Sequence, residues 1–309
     1  MMQNNEDSVI RIVTPSIFSF EACSNYMDNG YNDCMYSIEN KRIRKAIYVD
    51  CEKVLFQIGC DNDSCLTVTI LTNNVTERIK KKVEEYVITW FDLKRDITPF
   101  YHLLEQQDET SYMVKNFYGL RLIGFPDLYE VVCWCIIGQL INLGFAHQIK
   151  RNIIDRFGES IQYQGKKYYL FPKPEVLYQA SSEELKTMKL TSKKAECLLE
   201  VSRLFTAGAI SQKQMELLSD LESKQQLLLN IKGVGIWTTN YSLLKCLKQP
   251  DCIPYGDAVL VNALIKHQII ENKNDIDGIN SFYNRFPEWS HYLTFYFWRS
   301  RFTICLLLE

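Results

Sequence analysis

The sequence has no C-x-x-C pair, no run near the roughly 18 uncharged apolar residues of a membrane span, and no large excess of either charge. Each absence removes a class of protein. Eleven cysteines would suffice for a metal or disulfide scaffold, but their spacing offers neither. Cys133-x-Cys135 falls in an apolar helical stretch, and Cys60-x4-Cys65 lies beside a strand. They read as reduced, mostly buried thiols with no metal-ligating set among them. The N-terminus, MMQNNEDSVIRIV, is acidic and has no apolar core of signal-peptide length, so nothing in it points to export. The expected compartment is the cytoplasm, with no membrane partner. Repeats, linkers and low-complexity segments are missing too.

What remains is a chain of 309 residues, long enough for two or three modules around a sizeable core. The net charge of −2 argues mildly against a nucleic-acid partner, but the charge is uneven. Residues 1–112 hold 12 Lys/Arg against 18 Asp/Glu, whereas residues 113–309 hold 23 against 19. A modest basic surplus in the second part suits weak, salt-dependent contact with phosphate.

Residues 9 to about 72 read as β-rich. Runs 9–13, 35–38, 45–49, 54–58 and 66–71 are separated by Asn, Asp and Cys turns. In 77–91, Ile79, Val83, Val87 and Ile88 recur at helical spacing. The Lys80-Lys81-Lys82 run on that helix reads as a solvated face, with phosphate contact as the alternative. Strands followed by a helix predict a small α+β module with an antiparallel sheet over 1–98. From Pro99 onward the pattern is mainly α. Asp127 opens an apolar helix over 128–137, which breaks at Gly138-Gln139-Leu140 and resumes through Phe157. The stretch 165–174, aromatic with two prolines, reads as a loop or short hairpin. Helices are expected at 175–180, 182–187, 192–206, 211–217 and 220–230, with 278–284 and 289–307 closing the chain.

The chain is organised around 229–264. A helix ends near Leu229, Lys232-Gly233-Val234-Gly235 turns tightly, and a second helix opens at Ile236. Glycines let the backbone turn where a side chain would clash. Bare N–H groups at a helix start form a ready anion site, for which a nucleic-acid phosphate is the commonest large partner. Downstream, Pro254-Tyr255-Gly256-Asp257 precedes another apolar run. Taken alone, Asp257 reads as a helix N-cap.

The combination of turn glycines, Trp237-Thr238-Thr239 and Pro254-x-x-Asp257-x-x-Leu260 resembles the helix-hairpin-helix glycosylase superfamily, named for its hairpin, Gly/Pro-rich loop and aspartate. More closely, the chain resembles the alkylpurine DNA glycosylases of the 3-methyladenine glycosylase II group. Gly119-Leu120-Arg121-Leu122, Asp127, Gly138-Gln139-Leu140, Phe171-Pro172-x-Pro174, Leu190-x4-Ala195-Glu196, Trp289-Ser290-x-Tyr292 and Trp298-Arg299 keep the family's order over about residues 115–300. The resemblance implies two helical subdomains with a cleft between them, 125–249 and a discontinuous 99–124 plus 250–309, beside the N-terminal module.

The implied reaction is hydrolysis of the N-glycosidic bond of a damaged base in double-stranded DNA, by a monomer, after the nucleotide is rotated out of the stack. In that scheme Gly233, Val234, Gly235 and Lys232 anchor the backbone, and Leu140 beside Gln139 is the intercalating wedge. Trp237, Tyr241 and Trp298 form an electron-rich pocket for a cationic alkylpurine. Asp257 stabilises the oxocarbenium-like sugar and orients water. Some relatives carry another aromatic just after the aspartate; this chain has Ala258. The family's iron–sulfur site would need four clustered C-terminal cysteines, and only Cys305 lies there, so no cluster is expected. The one cofactor the resemblance allows is a monovalent cation on the carbonyls of Leu229, Ile231 and Val234. Bifunctional relatives carry a lysine two residues after the second hairpin glycine; Trp237 stands there, which implies base release without strand cleavage. Two alternatives remain open: a glycosylase for an oxidised or deaminated purine, and a non-catalytic hairpin protein that only binds DNA.

Overall fold

In the computed structural model, which describes residues 7–28, 30–31 and 33–300, the N-terminal third folds around a five-stranded antiparallel sheet. Its strands are β1 Val9–Val13, β2 Ser37–Glu39, β3 Arg42–Val49, β4 Glu52–Asn62 and β5 Cys65–Ile70, in the order β1-β5-β4-β3-β2. In β5, Leu66, Val68 and Ile70 are buried while their neighbours are half-buried, as period-two side chains require. Strand β2 starts two residues later than expected. Asp33 turns the chain before it, its Oδ1 accepting the Met35 N–H at 3.1 Å. A helix absent from the sequence reading, α1 Phe20–Met27, follows β1. It is short, and although its buried residues Phe20, Cys23, Ser24 and Met27 fall at helical spacing, the serine among them breaks the apolar pattern.

Helix α2 Glu77–Trp90 is capped by Thr76 and lays Ile79, Val83, Val87 and Trp90 on the core. Its lysine run is a solvated face: Lys80 pairs with Glu77 at 2.7 Å and Lys82 with Glu85 at 2.8 Å. The helical part begins with α3 Thr98–Glu105 and α4 Ser111–Asn116, then α5 Leu128–Gly138 and α6 Leu143–Phe157. All ten residues from Leu128 to Ile137 are buried, so α5 is a core helix on every side. A hairpin, β6 Glu159–Tyr163 and β7 Lys166–Leu170, occupies the stretch expected as a loop or short hairpin but begins six residues earlier, with Gly165 at its turn. It docks on the N-terminal sheet, where Ala46, Leu55, Tyr168 and Leu170 form a small second core.

The chain continues through α7 Pro174–Tyr178, α8 Ser182–Thr187, α9 Ser192–Thr206, α10 Gln212–Leu217 and α11 Leu221–Leu229. Ser181, Thr191, Ser211 and Asp220 cap the last four with their side chains. Helix α12 Ile236–Ser242 runs into a π-helical turn, Leu243–Leu247; then come α13 Ala258–Lys266, α14 Ile276–Tyr283 and α15 Ser290–Ser300. The remainder of the helix expected over 289–307, with Cys305, lies outside the described residues. The ten cysteines within them are all free thiols. Among the described residues no helix is long and apolar enough to cross a membrane.

The parts are joined at buried polar contacts. Arg121 is fully buried. Its guanidinium donates to the carbonyls of Ile17, Asp92 and Arg95 and sits 6.0 Å from the centre of the Tyr292 ring. Tyr101 of α3 and Tyr296 of α15 share a hydrogen bond of 3.0 Å. Asp92 accepts from Tyr292 at 2.8 Å and from Arg95 at 3.0 Å. Burial alone would raise its carboxyl, but Lys248, Arg95 and the Tyr292 hydroxyl outweigh that and hold it below the usual range. Gly119 has φ +73, and a Cβ there would lie 2.5 Å from the Ser19 backbone nitrogen, which donates to the Gly119 carbonyl at 2.9 Å. Gly119→Ala is therefore expected to lower unfolding stability by about 2 kcal/mol or more, measured by urea denaturation.

Candidate active site

Asp257 sits at the N-cap of α13, and its Oδ1 accepts the Leu260 N–H at 2.8 Å. The cap reading holds, but the carboxylate does more than cap. The Trp298 indole N–H donates to the same Oδ1 at 3.0 Å, and the Trp237 indole N–H donates to Oδ2 at 3.1 Å. Two indoles, 61 residues apart in the chain, thus grip one half-buried carboxylate by opposite oxygens. A carboxylate has about four acceptor positions. Three are taken here, which leaves one on Oδ2. Tyr241 completes the group, its ring centre 5.5 Å from that of Trp237 and 5.1 Å from that of Trp298. The four-residue spacing of Trp237 and Tyr241 puts both on one face of α12, and the last helix brings Trp298 against them.

The hairpin turn immediately precedes α12, two residues before Trp237. Gly233 has φ +93, and a Cβ there would come 2.9 Å from Cys197 Sγ, so fold and packing both require glycine. Gly235 differs from the expectation that both glycines serve the bend. Its φ of −101 suits any residue, and an added Cβ would meet nothing within 4 Å. Nothing inside the chain asks for glycine at 235; its bare surface faces outward. Val234 turns inward, 6% exposed, and spends its N–H on the Ile231 carbonyl at 3.0 Å. It shapes the turn rather than its outer face. Lys232 is exposed. Of the three carbonyls considered for a cation, that of Ile231 has one lone pair occupied by Val234 and a second to offer.

Leu140 projects from the break after α5, completely exposed, with φ +57. A left-handed leucine costs about 1–2 kcal/mol, and its side chain recovers nothing from burial. Gln139 ties this loop to the hairpin, its amide donating to the Gly233 carbonyl at 3.2 Å and to Thr238 Oγ1 at 3.1 Å. Lys194 holds the end of α5 through the Ile137 carbonyl at 2.7 Å. The sequence reading named Leu140 and Gln139 but had no signal for their link to the turn.

It also gave no sign that the N-terminal module reaches the neighbourhood of Tyr241. Tyr241 lines a cavity of about 160 Å³ between the sheet module and α5–α6. Tyr31, Asp33 and Lys45 border it from the module, and Glu130, His147 and Lys245 from the helices. Tyr31 stacks on His147 across the boundary, ring centres 5.2 Å apart at 13°. No spacing in the sequence relates Asp33 to Glu130 or Lys245; only the packing of the module brings them together. Among the described residues no group of three or more His, Cys, Asp or Glu side chains could hold a metal ion.

Residues 133–284 match the family described as HhH-GPD superfamily base excision DNA repair protein, and residues 19–132 match the 8-oxoguanine DNA glycosylase N-terminal domain. The chain is 34% identical to the DNA-3-methyladenine glycosylase of Bacillus subtilis over 97% of its own length and 99% of the relative's. Its fold is similar to that of a 3-methyladenine DNA glycosylase from Archaeoglobus fulgidus, with a TM-score of 0.84 at 20% identity, covering 96% of this chain and 99% of that one. It is also similar to an 8-oxoguanine glycosylase/lyase from Clostridium acetobutylicum in complex with double-stranded DNA, with a TM-score of 0.72 at 17% identity, covering 93% and 92%. With the aspartate held by two indoles, its hairpin and a near full-length relative in agreement, the chain belongs to the helix-hairpin-helix (HhH-GPD) superfamily of base excision DNA repair proteins, alongside the DNA-3-methyladenine glycosylases.

Proposed function

We infer that the protein is a DNA glycosylase of base excision repair that hydrolyses the N-glycosidic bond of alkylated purines of the 3-methyladenine type and leaves an abasic site. The observation that carries this reading is the Asp257 carboxylate gripped by the indoles of Trp237 and Trp298 beside the Tyr241 ring. It acts on double-stranded DNA as a monomer, and free thiols suit work in the reducing cytoplasm. The working parts divide as 1–98 and 99–309, the latter as 125–249 and 99–124 plus 250–309.

A base inside a duplex is out of reach, so the nucleotide must leave the stack. Leu140 fills the gap, as apolar wedges do in other kinked duplexes. The bare backbone at Gly233 and Gly235, with Lys232 beside it, approaches the phosphates. The carbonyls of Leu229, Ile231 and Val234 would hold a monovalent cation that adds positive charge there. An alkylated purine carries positive charge, and the faces of Trp237, Tyr241 and Trp298 attract it by about 0.5–2 kcal/mol. The C–N bond then breaks with its electron pair going to the base, which becomes neutral. Positive charge moves to the sugar, where Asp257 faces it. A water adds its oxygen to the sugar carbon, and its proton passes toward the vacant position on Oδ2. All three neighbours of the carboxylate donate, which fixes its orientation before the sugar arrives.

The match to the 8-oxoguanine N-terminal domain and the likeness to an 8-oxoguanine enzyme speak for shared architecture. Trp237 stands where strand-cleaving relatives carry lysine, which favours hydrolysis over lyase chemistry.

Asp257→Asn should lower base release from methylated DNA by about a hundredfold or more while DNA affinity persists. Equal release by both proteins would end the catalytic assignment. Borohydride added during turnover should trap no covalent protein–DNA adduct. Gly235→Ala should leave thermal stability unchanged yet weaken DNA binding about tenfold, whereas Gly233→Ala should lower both, read by melting and fluorescence anisotropy.

A further inference from the structure

Helix α12 holds the loop that ends in Asp257 at two points. Trp237 grips the carboxylate itself. Three residues on, on the same face of the helix, Asn240 donates its side-chain Nδ2 to the Ile253 carbonyl at 2.7 Å. We propose that Asn240 is a positioning residue for base release: it sets the catalytic carboxylate at a fixed offset from the DNA-gripping hairpin by holding the backbone at Ile253. It acts through Asp257 and not on the substrate. The inference rests on the glycosylase reading above.

Asn240 is 3% exposed, so its amide must find its partners inside the protein. A carbonyl only accepts, so the NH2 end of the amide has to face Ile253. That turns Oδ1 toward α11, where the Gln225 side-chain Nε2 donates to it at 2.7 Å. Gln225 lies one turn before the end of α11, the helix that runs into the hairpin. One buried amide therefore spans three segments: the helix before the hairpin, the helix after it, and the loop that leads to Asp257.

That loop depends on outside anchors. Lys248 and Asp251 have φ +52 and +64, a left-handed backbone that is disfavoured for residues with a Cβ. Beyond Ile253 the path to the carboxylate is short and stiff. The Ile253 carbonyl also accepts the Tyr255 N–H at 2.9 Å, so both of its lone pairs are in use. Pro254 has its φ fixed by its ring. The Asp257 N–H then closes a turn on the Pro254 carbonyl at 3.0 Å, with Gly256 at φ +80 in the third position, as a type II turn requires. Asp257 caps α13 directly after this turn. A displacement of Ile253 is thus passed on to the carboxylate with little slack, and it draws the oxygens away from the two indole N–H groups. A misplacement of about 1 Å in a catalytic group is enough to cost about a hundredfold in rate.

A buried amide can also serve stability alone. The two roles separate because a positioning residue loses its effect once the group it positions is gone. Full-length wild type, Asn240→Leu, Gln225→Leu, Asp257→Asn and the doubles Asn240→Leu/Asp257→Asn and Gln225→Leu/Asp257→Asn are compared in single turnover on methylated duplex DNA. Released 3-methyladenine is quantified, with melting temperature and affinity for a tetrahydrofuran abasic duplex measured alongside. Asn240→Leu should release base about a hundredfold more slowly and Gln225→Leu about tenfold, both with unchanged abasic-site affinity. In the Asp257→Asn background each substitution should cost less than about twofold, because the group it acts through is already disabled. Full losses repeated in that background, single variants as fast as wild type, or slow release matched by an equal loss of abasic-site affinity overturn the positioning proposal while leaving the glycosylase reading intact. If Asn240→Leu does not fold, Gln225→Leu, on the half-buried side of the link, decides by the same comparison. Wild type that releases no base overturns the glycosylase reading itself.

Discussion

One buried guanidinium sets where everything else can be. Arg121 has no solvent to satisfy it and takes its partners from three places: the carbonyl of Ile17 before α1, those of Asp92 and Arg95 after α2, and the ring of Tyr292 on α15. Desolvating such a charge is costly unless its donors are met. The sheet module, the segment leading into the helices and the final helix must therefore keep one mutual arrangement. Trp298 stands on that final helix, six residues beyond Tyr292. The indole that holds Asp257 Oδ1 is thus placed by an interaction at the opposite end of the same helix.

The chemistry-bearing stretch was legible because its residues are close in sequence. Gly233, Trp237, Tyr241 and Asp257 fall within 25 residues, and helix periodicity plus a resemblance were enough to group them. Trp298 was reached by resemblance alone, since no local pattern connects it to Asp257. The strands of the module were found because β5 and β1 alternate cleanly. Helix α1 was not, because half its residues are polar or small, which leaves its helical spacing only weakly apolar. The distinction between the two hairpin glycines was invisible as well. Both look like turn residues in a sequence, and only the backbone shows that Gly233 is demanded by φ and by Cys197 while Gly235 is not.

Electrostatics divide the site into two parts that a residue tally would blur. Around Asp257 every neighbour donates to the carboxylate, and the surrounding surface is aromatic. The adjoining cavity is lined by two carboxylates, Asp33 and Glu130, and two lysines, Lys45 and Lys245, and burial works against the charge of both lysines. The overall −2 of the chain and the basic surplus of its helical part describe its approach to a polyanion. They say nothing of the cavity, where the lining groups are few and of both signs.

The Gln139 amide has a mechanical consequence. By bonding both the Gly233 carbonyl and Thr238, it ties the hairpin bend to the loop that carries the protruding leucine. On the function proposed, a molecule moving along a duplex carries Leu140 at a fixed height above the strand it touches. How deeply the tip intrudes between base pairs is then decided by the protein, and the search reduces to asking which steps give way at that depth.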